Sequence, residues 1–66
     1  MHEELSNREY QVLCLLGTGI PLNRIATDLG LSPKTISTYR GRILEKLKLN
    51  SSAAIIRYAI ENRLVS

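Results

Sequence analysis

The chain has 66 residues, enough for one small domain but too few for a cofactor-binding half joined to a substrate-binding half. Hydrophobic residues form 44% of it, as in globular proteins, while one cysteine and one histidine argue against a disulfide framework or a zinc site. The formal net charge is +3, and this excess arises between Lys34 and Lys48, a pattern typical of a polyanion-binding element or a solvated helix face.

The first predicted helix begins at Ser6. Ser6 and Glu9 have the spacing of a capping box, in which each side chain accepts a hydrogen bond from the other residue's backbone N–H group. Apolar residues then recur at helical spacing, at Val12, Leu13 and Leu16. Gly17 and Gly19 are expected to end this helix. Because the capping box accounts for Glu9, we assign this carboxylate no catalytic role.

The second predicted helix runs from about Pro21 to Leu29, since proline suits a first helical turn. Its apolar residues follow the helical i, i+3, i+4, i+7 pattern, at Leu22, Ile25, Ala26 and Leu29. Gly30 is expected to end it and to open a three-residue turn that leads to Ser32. Two helices joined by a short glycine-containing turn form a helix-turn-helix, which is therefore predicted for helices two and three.

The third helix is predicted over about 33–48, with Ser32 as its N-cap and Pro33 as its first residue. Ile36, Ile43 and Leu47 form the predicted buried stripe, and Arg40 is expected at its edge. The residues outside this stripe are mostly small or basic: Lys34, Thr35, Ser37, Thr38, Gly41, Arg42 and the acidic Glu45.

The fourth predicted helix starts near Ser51 and runs to about Asn62. It is apolar over more than half of its circumference, through Ala53, Ile55, Ile56, Ala59 and Ile60. These residues either all serve the core or leave one edge for a two-fold dimer. The candidates for that dimer face are Ala54, Ile55, Tyr58 and Asn62.

The third helix has the residue types needed to read duplex DNA, whose major groove is about 12 Å wide and admits one α-helix. Short polar side chains let the backbone approach base edges, and flanking cations bind phosphates. We expect base contacts from Ser37, Thr38, Gly41 and Arg42. Phosphate contacts are expected from Ser32, Lys34, Thr35, Tyr39 and Lys46. Serine and threonine are permissive readers, so DNA shape is expected to contribute to specificity.

Several runs of the chain resemble the LuxR-type helix-turn-helix domain, the C-terminal DNA-binding domain of NarL/FixJ-family response regulators. The resemblance covers roughly residues 5–60 without a gap. It includes Leu5-Ser6-Asn7-Arg8-Glu9, Val12-Leu13, Gly19, Ile25-Ala26, Leu29, Leu31-Ser32 and Ala59. The most specific run is Thr35-Ile36-Ser37-Thr38-Tyr39-Arg40-Gly41-Arg42-Ile43-Leu44-Glu45-Lys46-Leu47, in which Tyr39 stands where the family commonly has histidine.

The resemblance implies an all-α, four-helix domain over residues 5–64, with short tails at 1–4 and 65–66, whose third helix enters the major groove. It also implies that the last helix pairs two copies on an inverted-repeat DNA site. The further partners that it implies are a receiver domain absent from this chain, which a sensor kinase phosphorylates, and RNA polymerase.

We therefore expect a sequence-specific, double-stranded DNA-binding domain of a bacterial two-component regulator, located in the cytoplasm, with no enzymatic activity and no cofactor. The chain has no apolar run long enough for a membrane span, and we expect no secretory leader. One alternative is the DNA-binding domain of a quorum-sensing regulator or of a sigma-factor-like promoter reader, both of which use similar four-helix units. Another is a helical protein-interaction module, although a docking helix would expose larger apolar anchors than the third helix does.

Overall fold

The computed structural model describes residues 4–64, which form four α-helices. α1 spans Asn7–Gly17, α2 spans Leu22–Leu29, α3 spans Pro33–Leu47 and α4 spans Ser52–Glu61. No strand occurs within residues 4–64, so the all-α prediction is confirmed. Most of the two predicted tails, residues 1–3 and 65–66, lies outside the described residues. In the part of the chain that is described, no helix has the length and hydropathy needed to span a bilayer.

The start of α1 has the predicted capping box, whereas α2 begins without a side-chain cap. Ser6 Oγ accepts a hydrogen bond from the Glu9 N–H group at 3.2 Å, and Glu9 Oε1 accepts one from the Ser6 N–H group at 2.9 Å. Pro21 is the N-cap of α2, so this helix begins at Leu22, one residue later than predicted. Proline has no polar side-chain atom that could accept a hydrogen bond from the first turn.

Serine caps determine where α3 and α4 begin. Ser32 accepts a hydrogen bond from the Thr35 N–H group at 3.1 Å and is followed by Pro33, as predicted for α3. Ser51 accepts one from the Ala54 N–H group at 3.1 Å. Each cap of this kind contributes about 1 kcal/mol to helix stability.

The turn between α2 and α3 depends on the left-handed backbone of Gly30, whose φ is 68°. This conformation ends α2 and lets the Leu31 N–H group donate to the Ala26 carbonyl oxygen at 2.9 Å. A Cβ atom would disfavour this backbone by about 1 kcal/mol, which explains why glycine serves at this position. The tight turn brings α3 directly back against α2.

The core contains hydrophobic residues from all four helices. They are Val12 and Leu13 of α1, Ile25 and Ala26 of α2, Ile36, Ile43 and Leu47 of α3, and Ile55 and Ala59 of α4. α1 packs against each of the other three helices, and α2 also packs against α3. The predicted stripe of α3 is therefore confirmed, and the opposite side of this helix faces solvent.

Candidate nucleic-acid interface

The outer face of α3 presents short side chains over a helix of 15 residues, about 22 Å long. The four residues predicted to contact bases, Ser37, Thr38, Gly41 and Arg42, are all exposed. They lie together because residues three and four positions apart share one side of a helix. The buried stripe on the other side holds α3 against α1 and α2, so this outer face is rigidly presented.

The hydroxyl group of Thr38 donates a hydrogen bond within α3. Thr38 Oγ1 lies 3.1 Å from the Lys34 carbonyl oxygen and donates to it. A hydroxyl group has one proton and two acceptor lone pairs, so in this rotamer the oxygen can still accept. A base that offers an amino group, or the thymine methyl group beside the Thr38 methyl, would therefore suit it.

Gly41 lies in the middle of α3, and packing does not require a glycine there. A Cβ atom built on it would meet no atom within 4 Å, and its φ is not positive. Glycine inside a helix costs roughly 0.5–1 kcal/mol relative to alanine. This glycine therefore does not stabilise the domain. It would, however, allow the backbone of α3 to approach base edges closely.

The N-terminal turn of α3 groups three of the predicted phosphate contacts. Ser32 Oγ and Thr35 Oγ1 lie 2.9 Å apart, and the Lys34 side chain is exposed beside them. Tyr39, a fourth candidate, is half-buried and packs against the core. Backbone N–H groups at a helix start carry a partial positive charge that favours an anion.

The fifth predicted phosphate contact, Lys46, forms an ion pair with Glu9 of α1. Lys46 Nζ donates to Glu9 Oε1 at 2.8 Å. The Glu9 side chain is only 4% exposed, whereas the Lys46 side chain is 40% exposed. The hydrogen bond from Lys46, followed by that from the Ser6 N–H group, lowers the pKa of the Glu9 carboxyl below its usual value despite its burial.

Sequence reasoning assigned Glu9 to the capping box alone and missed its pairing with Lys46. The two residues are 37 positions apart, so no local pattern connects them. The position of Glu9 on the buried side of α1 could have indicated this pairing. A buried carboxylate needs a cationic partner in addition to the hydrogen bond of the capping box.

Two arginines outside the predicted site also have partners. Arg40, half-buried at the edge of the α3 stripe as predicted, donates from Nε and Nη2 to Ser52 Oγ at 3.2 Å and 2.8 Å. This contact joins α3 to the first turn of α4. Arg24 Nε of α2 lies 3.3 Å from Asp28 Oδ1, so these two exposed residues, one helical turn apart, form an ion pair.

The predicted dimer face on α4 is only partly on the surface. Ile55 is 1% exposed and belongs to the core, so its assignment to this face is wrong. Ala54 and Tyr58 are half-buried, and Asn62 is exposed, with Nδ2 donating to the Tyr58 carbonyl oxygen at 2.9 Å. The largest exposed apolar side chain on α4 is Ile60, at 60%.

Comparison with known proteins connects this arrangement to a group of bacterial regulators. The family model GerE, described as bacterial regulatory proteins of the luxR family, matches residues 3–59. The transcriptional regulatory protein FixJ of Azorhizobium caulinodans is 43% identical over 56 residues, which are 85% of this chain and 26% of FixJ. BvgA of Bordetella pertussis is 47% identical over 60 residues, which are 91% of this chain and 29% of BvgA.

A further relative is the response regulator UvrY of Escherichia coli. It is 37% identical over 60 residues, which are 91% of this chain and 28% of UvrY. The chain therefore spans less than a third of the length of each of these three relatives.

Proposed function

The chain belongs to the luxR family of bacterial regulatory proteins, and from this membership we propose that it is the DNA-binding output domain of a response regulator. The family is one of regulatory proteins, not of enzymes, and we propose that the domain acts by binding alone, without catalysis or a cofactor. The name of UvrY, a response regulator, favours this class over a quorum-sensing regulator. Binding to chromosomal DNA would place the domain in the cytoplasm.

The observation that carries this proposal is the outer face of α3. It combines short polar side chains with a glycine that the fold does not need, opposite a stripe that anchors the helix in the core. A face of this shape can enter a groove about 12 Å wide without steric conflict. A protein-docking helix would instead expose large apolar anchors.

In the proposed complex, α3 lies in the major groove of duplex DNA. Ser37, Thr38 and Arg42 would contact base edges where Gly41 allows close approach, each favourable contact contributing about 1–3 kcal/mol of discrimination at most. Ser32, Lys34, Thr35 and Tyr39 would bind phosphates and hold the helix in register. Lys46 is left out of this set of phosphate contacts, because Glu9 already binds its ammonium group.

We further propose that two copies bind an inverted repeat and meet through the exposed edge of α4. Ala54, Tyr58 and Asn62 lie on one flank of that helix, which supports them as the contact residues. A receiver domain, phosphorylated by a sensor kinase, would control this output, and RNA polymerase would be the downstream partner. The relatives are more than three times as long as this chain, which leaves room for such a domain in proteins of this kind.

Selection from a random duplex library, with sequencing of the bound fraction, tests this function directly. We expect enrichment of an inverted repeat with half-sites about one helical turn apart. Enrichment of a single half-site would contradict binding as a dimer but would still support α3 as the reading helix. No enrichment at moderate salt would contradict sequence-specific DNA binding, since nonspecific binding is mainly electrostatic.

Replacing Thr38 by alanine is expected to change the sequence preference more than the general affinity. The substitution removes an exposed acceptor oxygen and a methyl group from the outer face of α3. The same library selection measures the change, with Thr27→Ala on α2 as the matched control, because Thr27 Oγ1 also donates to the carbonyl oxygen four residues earlier. An unchanged preference for the Thr38 variant would exclude Thr38 from base reading.

A further inference from the structure

We propose that Glu9 limits the strength of DNA binding by retaining Lys46 in an internal ion pair, so that Lys46 adds no net charge at the phosphates. This inference rests on the proposed DNA-binding function. It makes Glu9, a residue of α1 that lines a surface pocket together with Arg42, Glu45 and Lys46 of α3, an affinity-setting residue for α3. The exposed cation Lys34 then contributes to phosphate binding and the paired Lys46 does not.

The geometry of the pair explains why it should persist on DNA. Glu9 Oε1 accepts two hydrogen bonds, from Lys46 Nζ at 2.8 Å and from the Ser6 N–H group at 2.9 Å. The carboxylate is almost completely buried, whereas the lysine stem extends to the surface. A phosphate that drew the ammonium group away would leave a buried carboxylate without its counter-charge, which is strongly unfavourable.

The electrostatic consequence follows from the distance between the two charges. A phosphate that reached Lys46 from outside would also meet the Glu9 charge about 3 Å behind the ammonium nitrogen, and the two contributions largely cancel. The pKa of Glu9 lies below its usual value, so this carboxylate is ionised at neutral pH. Lys34 is exposed and, within residues 4–64, forms no ion pair with an acidic side chain.

The experiment compares the salt dependence of DNA affinity in four proteins by fluorescence anisotropy with one labelled duplex. They are the native domain, Glu9→Gln, Lys46→Gln and the double variant. Glutamine also serves at the third helical position of a capping box, so Glu9→Gln removes the charge and keeps an acceptor for Ser6. Glu61→Gln, at the exposed end of α4, is the control for net charge alone.

We expect Glu9→Gln to steepen the slope of log K against log salt by about 0.9, the value for one added phosphate contact. Its affinity should fall about 3-fold more than the native affinity between about 50 and about 200 mM salt. The double variant should return to the native slope, Glu61→Gln should keep it, and Lys46→Gln, which leaves the Glu9 charge without its counter-charge, should not exceed it. Circular dichroism at each salt concentration verifies that every variant is folded during the titration.

A native slope for Glu9→Gln, or a double variant that keeps the steeper slope of Glu9→Gln, would overturn the inference. Lys34→Gln separates this failure from failure of the proposed function. If Lys34→Gln reduces the slope and Glu9→Gln leaves it unchanged, the result supports DNA binding through α3 and contradicts the proposed role of Glu9. If the native domain does not bind duplex DNA, both the proposed function and the proposed role of Glu9 are contradicted.

Discussion

Replacing Gly41 by glutamate is expected to lower the affinity for duplex DNA about 100-fold while the domain remains folded. A Cβ atom added at this exposed position would have no neighbouring atom within 4 Å beyond its own helical backbone, so we expect the fold to accommodate a side chain there. In the groove, however, the added bulk and negative charge would face phosphates and base acceptors. Such like-charge contacts cost several kcal/mol, and about 3 kcal/mol corresponds to a 100-fold change in affinity.

Two control variants distinguish this effect from changes in stability or net charge. Gly41→Ala should raise the free energy of unfolding by about 0.5–1 kcal/mol, because alanine replaces glycine inside a helix. Gln11→Glu introduces the same charge on the exposed side of α1, and its effect on affinity should be only a few-fold. Anisotropy titrations at one salt concentration, with thermal unfolding of each variant, provide the comparison. Equal affinities for Gly41→Glu and Gln11→Glu would show that the outer face of α3 does not enter the groove.

Replacing Lys46 by methionine is expected to reduce the free energy of unfolding by about 2 kcal/mol at neutral pH, the contribution typical of a hydrogen bond to a charged group. In the variant, the buried Glu9 carboxylate loses the ammonium group of Lys46 and keeps the hydrogen bond from the Ser6 N–H group at 2.9 Å. For a domain of this size, the loss corresponds to a decrease in Tm of about 10 °C. Lys34→Met is the matched control, since Lys34 is exposed, and its effect should be below about 0.5 kcal/mol.

The contribution of this ion pair should depend on pH in a defined direction. The Lys46 hydrogen bond lowers the pKa of Glu9 in the folded state below its ordinary value of 4.5. A group of this kind stabilises the fold fully above its unfolded-state pKa and loses that contribution as the pH falls through its folded-state pKa. Urea unfolding between neutral pH and about pH 3 should therefore show the difference between native and Lys46→Met shrinking below about pH 4.5. A difference that stayed constant over this range would contradict the role of the Glu9 charge.

Local sequence patterns are sufficient to predict where the helices lie and which side of α3 is exposed. The serine at each predicted cap, the proline after Ser32 and the glycine at 30 act through bonds to residues within one helical turn, so a local pattern contains all the information. The apolar spacing of Ile36, Ile43 and Leu47 likewise defines one buried side of α3 and, opposite it, the exposed face that we propose reads DNA. The proposed base contacts follow from that face alone.

The contacts between side chains of different helices could not be predicted from local patterns. The pairing of Lys46 with Glu9, the contact of Arg40 with Ser52 and the full burial of Ile55 each depend on how α1, α3 and α4 cross one another. Periodicity gives the direction in which a side chain leaves its own helix, but it contains no information about the neighbour that lies there. For this reason the sequence shows a basic third helix, whereas the packing determines which of its cations are already paired within the domain.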